Sequence, residues 1–208
     1  MQKLVSGLKI DIVPNGIDPE YFHAKKEEIE PPRVLYVGNF KWLQNAEAVE
    51  VLMHKVWPDI KAKVPNAKLW IVGKDITEKI KSYQSFDVEI TEDMPDIRDA
   101  YLNSSVLVAP IEGPGGTRLK ILEAMASGLP VVTTDVGAEG LGVESGKHAF
   151  VTNKWSEMAK TTVEVIQNPK RSQEMGQEAR NFVKKLYSWE VSADLLDKIY
   201  RRVVDEKN

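Results

Sequence analysis

The 208-residue sequence has no cysteine, which excludes disulfides, thiolate metal sites and cysteine nucleophiles. Histidine is scarce. His23, His54 and His148 are the three present and stand far apart, so no imidazole cluster for zinc is indicated. No apolar run approaches the roughly 18 residues that a membrane span needs, and no signal peptide opens the chain. An excess of one charge is also missing: 28 Lys plus Arg face 31 Asp plus Glu, for a formal charge of -3. That balance argues against bulk nucleic-acid binding but allows a small anion held by a few local groups. The expected location is cytoplasmic, with a peripheral position at the inner face of a membrane left open. What the chain does have is a 42% hydrophobic fraction. That suffices for one sizeable core, in one domain or one domain with an appendage.

Short β-branched runs alternate with longer helical patterns. Expected strands are Lys9 to Val13, Arg33 to Val37, Lys68 to Val72, Val88 to Thr91, Val106 to Ala109, Val131 to Thr134 and Ala149 to Thr152. The stretch from His23 to Glu30, followed by Pro31-Pro32, reads as a connector. Ala48, Val49, Leu52, Met53, Val56 and Trp57 give the stripe of a helix over about Asn45 to Lys63, with Pro58 interrupting it. Shorter helices are expected over Thr77 to Tyr83, Pro95 to Leu102 and Thr117 to Ser127, the last closed by Gly128. Three more follow, over Lys154 to Ile166, Arg171 to Leu186 and Trp189 to Val204. The rotation of strand and helix predicts an α/β fold, a Rossmann-like parallel sheet with helices on both faces. The nearly unbroken apolar runs VLYV, LWIV and VLVA suit strands buried on both sides. Expected divisions are a leading strand and connector over 1–32, a Rossmann-like domain over 33–186 and a closing helix over 187–208.

Ligands of open α/β sheets bind outside the carboxyl ends of the strands. There, Ile111 to Gly116 (IEGPGG) forms a glycine-rich loop that leads into the Thr117 helix. Gly115 and Gly116 permit close backbone approach. The amides of Gly116, Thr117 and Arg118 would point at an anion at the helix start. Arg118 adds a planar donor fork and Lys120 a second positive charge. A tight turn with Arg118 and Lys120 on a solvated face fits the same residues. Glu123 is the lone acidic residue from Gly113 to Thr134. It could accept hydrogen bonds from vicinal hydroxyls, or pair with Lys120 across one turn. Gly38, Asn39 and Lys41 after the first long strand, and Gly73 and Lys74 after the second, share the same edge. For the two lysines, a plain surface role is the alternative. No Walker ending and no Gly-x-Gly-x-x-Gly follows the first strand, so a dinucleotide has little support. The Trp42, Trp57 and Trp70 rings read as packing residues and not as ligand-stacking ones, and the three histidines read as ordinary surface or core residues and not as bases.

Together these residues resemble the C-terminal domain of retaining glycosyltransferases of family four, of group 1 type, which use the two-domain GT-B fold. The stretch Val108 to Leu141, VAPIEGPGGTRLKILEAMASGLPVVTTDVGAEGL, carries most of the resemblance. Val13 to Phe22, Arg33 to Leu52, Ala67 to Gly73, Val88 to Ala109 and Phe182 to Tyr200 match in order. The resemblance implies a donor-binding domain for a nucleoside-diphosphate sugar, with no other cofactor and no metal. Glu123 would hold the ribose hydroxyls, and the helix start, Gly116 to Arg118, would face the diphosphate. Arg118 and Lys120 would stabilise the departing charge. The base would lie near Thr91 to Asp93, which includes Glu92, and beside Gly73.

Three departures from the family pattern stand out. The family's earlier glutamate falls on Gly115, and Glu112 is out of register with it. Asn39 and Gln44 stand where an arginine and a lysine are common. Glu92 replaces a glycine and would repel a diphosphate if it turned inward. The resemblance also implies an acceptor half, as an N-terminal domain or a separate subunit, and a glycan or lipid-linked hydroxyl acceptor. The expected activity is glycosyl transfer with retention, with the isolated chain inactive. The alternatives are a catalytically silent nucleotide-sugar-binding partner subunit and a GT-B epimerase of nucleotide sugars.

Overall fold

The structure, a computed structural model, describes residues 10–22, 29–113 and 116–205. Along the described chain run β1 (Arg33–Asn39), α1 (Leu43–Val51), a π-helical turn (Leu52–Val56), α2 (Trp57–Lys63), β2 (Lys68–Lys74) and α3 (Glu78–Lys81). Next come β3 (Val88–Glu92), α4 (Ile97–Leu102), β4 (Val106–Ala109), α5 (Leu119–Ala126), β5 (Val131–Thr133) and α6 (Asp135–Ala138). The chain closes with β6 (Phe150–Val151), α7 (Trp155–Gln167), α8 (Pro169–Leu186) and α9 (Trp189–Asp205).

The six strands form one sheet in the order β3-β2-β1-β4-β5-β6, and every pairing is parallel. Helices cover both faces, so alternate residues of each central strand enter different cores. Along β1, Val34 and Tyr36 join the core that contains Leu52, Ile60, Ile71 and Met158. Leu35 and Val37 join the opposite core, with Leu107, Ile121, Leu122 and Met125. The Rossmann-like expectation therefore holds down to the direction of each strand.

Several boundaries differ, each for a physical reason. The helix expected over about Asn45 to Lys63 is three segments. Pro58 has no amide to donate and stands in the first turn of α2, where none is needed. The preceding backbone loosens into the π turn, which keeps the apolar stripe facing the core. The expected strand at Lys9 to Val13 is not formed within its described part, residues 10–13. The leading segment is stitched instead to the chain's end: the Ile17 amide donates to the Tyr187 carbonyl at 2.6 Å and the Trp189 amide to the Ile17 carbonyl at 3.2 Å. Most of the expected connector, residues 23–28, lies outside the described residues. The helix expected from Thr117 begins at Leu119, with Arg118 as its N-cap in a non-helical conformation.

Candidate functional site

β1 has β2 on one side and β4 on the other. The connection from β1 therefore leaves in one direction along the sheet, and that from β4 in the other. A crevice opens between two such loops at the carboxyl edge, where α/β proteins take ligands. The end of β1 supplies Gly38 and Asn39, the loop after it Lys41, and the first turn of α1 Asn45. The loop after β4 supplies Gly113, Gly116, Thr117, Arg118 and, on the first turns of α5, Lys120 and Glu123. The two loops touch: a side-chain carbon added at Gly113 would lie 3.0 Å from Gln44.

A chain of hydrogen bonds crosses the crevice. The Lys120 ammonium donates to Asn45 Oδ1 at 2.6 Å and to the Tyr36 hydroxyl at 3.1 Å. It also lies 4.4 Å from the centre of the Tyr36 ring. The Tyr36 hydroxyl donates to the same Asn45 oxygen at 3.0 Å, and Asn45 Nδ2 donates to the Asn39 carbonyl at 2.7 Å. Every polar atom of the Asn45 amide is thus committed, which fixes its orientation. Asn39 Oδ1 accepts from the Lys41 amide at 2.9 Å and tightens the turn after β1.

Lys120 is partly buried, and desolvation is the largest influence on its proton. With the like charge of Arg118 beside it, desolvation outweighs the attraction of Glu123 and brings the ammonium down to about 7. Tyr36 is fully buried, and burial raises its phenol far above the ordinary range. Glu123 accepts from the Tyr101 hydroxyl at 2.6 Å. Burial raises its carboxyl above the ordinary value, against the opposing pull of the Tyr101 hydrogen bond and the Lys120 charge. Lys120 and Glu123 are three residues apart and share a helix face. One helix thus presents a cation suited to an anion and a carboxylate suited to a pair of hydroxyls.

Arg118 is turned inward. It is 9% exposed, and its guanidinium donates to the Gly113 carbonyl at 2.8 Å, closing the loop on itself. The amides of Gly116, Thr117 and Arg118 precede the helix and donate to no acceptor among the described residues. Gly115 lies outside the described residues. Thr117 accepts at its hydroxyl from Asn15 Nδ2 at 3.2 Å, which ties the leading segment to this loop.

The β2 and β3 ends hold the other expected residues. Gly73 is required by packing: a side-chain carbon there would fall 1.8 Å from the Gly38 carbonyl oxygen. Lys74 and Lys41 are exposed. The Thr91 hydroxyl accepts from the Trp70 indole at 2.9 Å. Glu92 accepts from the amide of Ile76, in the loop before α3, at 2.8 Å and pairs with Lys81 of α3 at 2.9 Å. The Lys81 bond, followed by that amide, lowers its pKa. The inward repulsion considered from sequence is therefore absent in this arrangement. Because the pair is partly exposed, Glu92→Gln should shift a urea midpoint only slightly. Trp57 and Trp70 are buried, but Trp42 is 62% exposed at the start of α1, contrary to a packing role. His148 is buried, stacked on Phe182 at 4.2 Å.

Sequence reading missed Tyr36, Asn45 and Tyr101 as members of this cluster. A tyrosine inside the run RVLYV was the available signal, because a phenol buried among apolar side chains needs a polar partner.

The description "Glycosyl transferases group 1" matches residues 31–168, in the region of that family's C-terminal domain. An uncharacterised 44.6 kDa protein from the cps region of Klebsiella pneumoniae is 26% identical over 175 residues, covering 80% of this chain and 45% of that protein. A glycosyltransferase from Rickettsia africae superposes with a TM-score of 0.77 at 16% identity, over 94% of this chain and 57% of that one. Anabaena HepE in complex with UDP-glucose gives 0.73 at 15% identity, over 92% and 57%. The chain spans about half the length of the curated relatives it matches. With the fold, the strand order and the matched region in agreement, the chain belongs to the group 1 glycosyltransferases of GT-B architecture.

Proposed function

We propose that this chain is the donor-binding half of a glycosyltransferase that moves a glycosyl group from a nucleoside-diphosphate sugar to a hydroxyl acceptor with retention. The observation that carries the reading is the placement of Lys120 and Glu123 on one helix face at the switch point. The diphosphate lies against Lys120 and the amides of Gly116 to Arg118, where positive charge coincides with donors that meet no acceptor among the described residues. The ribose hydroxyls meet Glu123. The base lies toward the ends of β2 and β3, near Gly73, Thr91 and the Asp93 backbone. Anabaena HepE, a structural neighbour, holds UDP-glucose, in keeping with a donor of this class. Arg118 leaves the Gly113 carbonyl for the diphosphate when the donor arrives, an exchange of one acceptor for a better charged one.

The acceptor, a glycan or lipid-linked hydroxyl, belongs to another half, either an N-terminal domain or a separate subunit. The exposed stripe of α9, Trp189, Leu196, Tyr200, Val203 and Val204, faces that half. Residues 33–186 form the donor domain, 1–32 the connector and 187–208 the closing helix. Cytoplasmic nucleotide sugars are the fitting donors. Among the described residues, no helix is long and apolar enough to cross a membrane.

Calorimetry with UDP, GDP, ADP and their glucose esters should show saturable binding of at least one by the 208-residue chain. No binding of any would remove the reading. A second reading, the catalytically silent partner subunit, draws on Gly115 and Asn39, which stand where the resemblance expects charged groups. Sugar transfer on adding an acceptor domain favours the first reading. Donor binding without transfer favours the second. Formation of an epimeric sugar without acceptor would favour the third, an epimerase.

A further inference from the structure

Lys120 rises from the helix after β4, yet both of its hydrogen-bond partners belong to the other loop system: Tyr36 to β1 and Asn45 to α1. The partners differ in what they can give. The Tyr36 O–H already donates to Asn45 Oδ1, and its oxygen offers the ammonium only a weakly basic lone pair. The Asn45 oxygen is the strong end of an amide dipole, and the rest of that amide is anchored on the Asn39 carbonyl. The other charged or titratable groups facing Lys120 are Arg118, which repels it, and Glu123, which attracts it. Behind Glu123 stands Tyr101.

We propose that Asn45 is a positioning residue for Lys120, holding the ammonium in its charged form across the β1–β4 crevice and thereby setting the pH range of donor binding. The inference rests on the donor-binding reading of this site. Two consequences separate it from simple packing. An ammonium held by one strong neutral acceptor loses its proton more easily when that acceptor is removed. And because the Asn45 amide is itself fixed by the β1 turn, the loop after β1 reports on the charge state of a residue after β4.

The sign follows from the lowered lysine. Its charged form prevails below about 7, so donor affinity falls as pH rises through that value. Asn45→Ala moves the fall to lower pH. Asn45→Asp places a carboxylate beside the ammonium and moves it to higher pH. Near pH 6.5, Asn45→Ala should weaken binding of the tightest of UDP, GDP and ADP by about tenfold, the loss of one charge-assisted hydrogen bond.

The test is an NMR titration of the Lys120 Cε resonance in the free 208-residue chain, assigned with Lys120→Met, alongside nucleotide calorimetry from pH 5.5 to 8.5. A Lys120 midpoint that moves down in Asn45→Ala and up in Asn45→Asp, with the affinity profile following, supports the inference. A midpoint unmoved in either folded variant overturns it, even if melting temperature drops. Shifted midpoints without any nucleotide binding would uphold the Asn45–Lys120 link and defeat the donor reading instead.

Discussion

Replacing Glu123 with alanine is expected to weaken nucleotide binding by about a hundredfold. The carboxylate accepts one hydrogen bond from Tyr101 and, in the proposed site, has its remaining lone pairs for two hydroxyls of a ribose. Hydrogen bonds to a charged group contribute roughly 1.5–3 kcal/mol each, and about 1.4 kcal/mol is a factor of ten. Alanine also strands the fully buried Tyr101 hydroxyl, which costs about 1–3 kcal/mol of stability. Glu123→Gln separates the two effects. Its amide oxygen still accepts from Tyr101, so the fold is kept while the charge is lost, and the expected weakening is about tenfold. Calorimetry finding wild-type affinity in both folded proteins would remove Glu123 from the site.

A pH profile adds a second reading of the same residue. Burial raises the Glu123 carboxyl, so its ionised form is lost as pH falls through that raised value, and ribose contacts are lost with it. Lys120 acts in the opposite sense, losing its charge as pH rises through about 7. On the proposed reading affinity peaks between the two, and Glu123→Gln should remove the acid limb and, by taking away a charge that raises the Lys120 pKa, move the alkaline limb to lower pH.

The division between what the sequence revealed and what it concealed follows from interaction range. Strand periodicity is local: VLVA and LWIV announce strands buried on both faces wherever they stand, and six of the expected strands appear in the sheet. Gly128 as a helix stop is also local, and its φ of +66 bears this out. The strand at residues 10–13 failed because β propensity forms a strand only with an edge to pair against; within that segment Asp11 instead accepts from Arg202 in the last turn of α9. Glu123 and Lys120 were visible as unusual charges in an apolar stretch. Their partners were not. Tyr101 lies 22 residues before Glu123, and Asn45 lies 75 before Lys120. The strand order, which puts β1 beside β4, brings Asn45 to Lys120, while Tyr101 on α4 and Glu123 on α5 meet across the strand between them, β4. Arg118 shows the converse limit. Its donor fork was legible, but its turn toward Gly113 depends on loop geometry that spacing does not encode.

Gly176→Ala is expected to destabilise the protein by about 2–3 kcal/mol, although alanine is the better helix former by about 1 kcal/mol. The reason is a backbone-to-backbone crossing of α8 on the end of α5. A side-chain carbon at Gly176 would lie 2.0 Å from the Gly128 carbonyl oxygen, and a carbonyl cannot rotate aside as a flexible side chain can. The α5 end has little freedom to yield. The Gly128 amide donates to the Met125 carbonyl at 3.0 Å and the Leu129 amide to the Ala124 carbonyl at 2.9 Å, the paired bonds that close a helix on a left-handed glycine. Arg180, one turn further along α8, donates to the Ala126 carbonyl and adds a cation at the negative end of α5. Inserting a methyl must therefore lift α5 as a body or break this closure. In a chain of this length, 1 kcal/mol shifts the melting temperature by about 2–4 °C, so a drop of roughly 5–10 °C is expected. Gly116→Ala is the control: its added carbon meets nothing within 4 Å among the described residues, and its melting temperature should match wild type. The two variants also divide fold from site. α5 carries both Lys120 and Glu123, so lifting it displaces the cation and the carboxylate together. Gly176→Ala should then lose nucleotide affinity at temperatures where it is still folded, from a position on the far helix. Unaltered affinity in the folded variant would mean that α5 absorbs the methyl by local bending near Gly128, leaving its first turns in place.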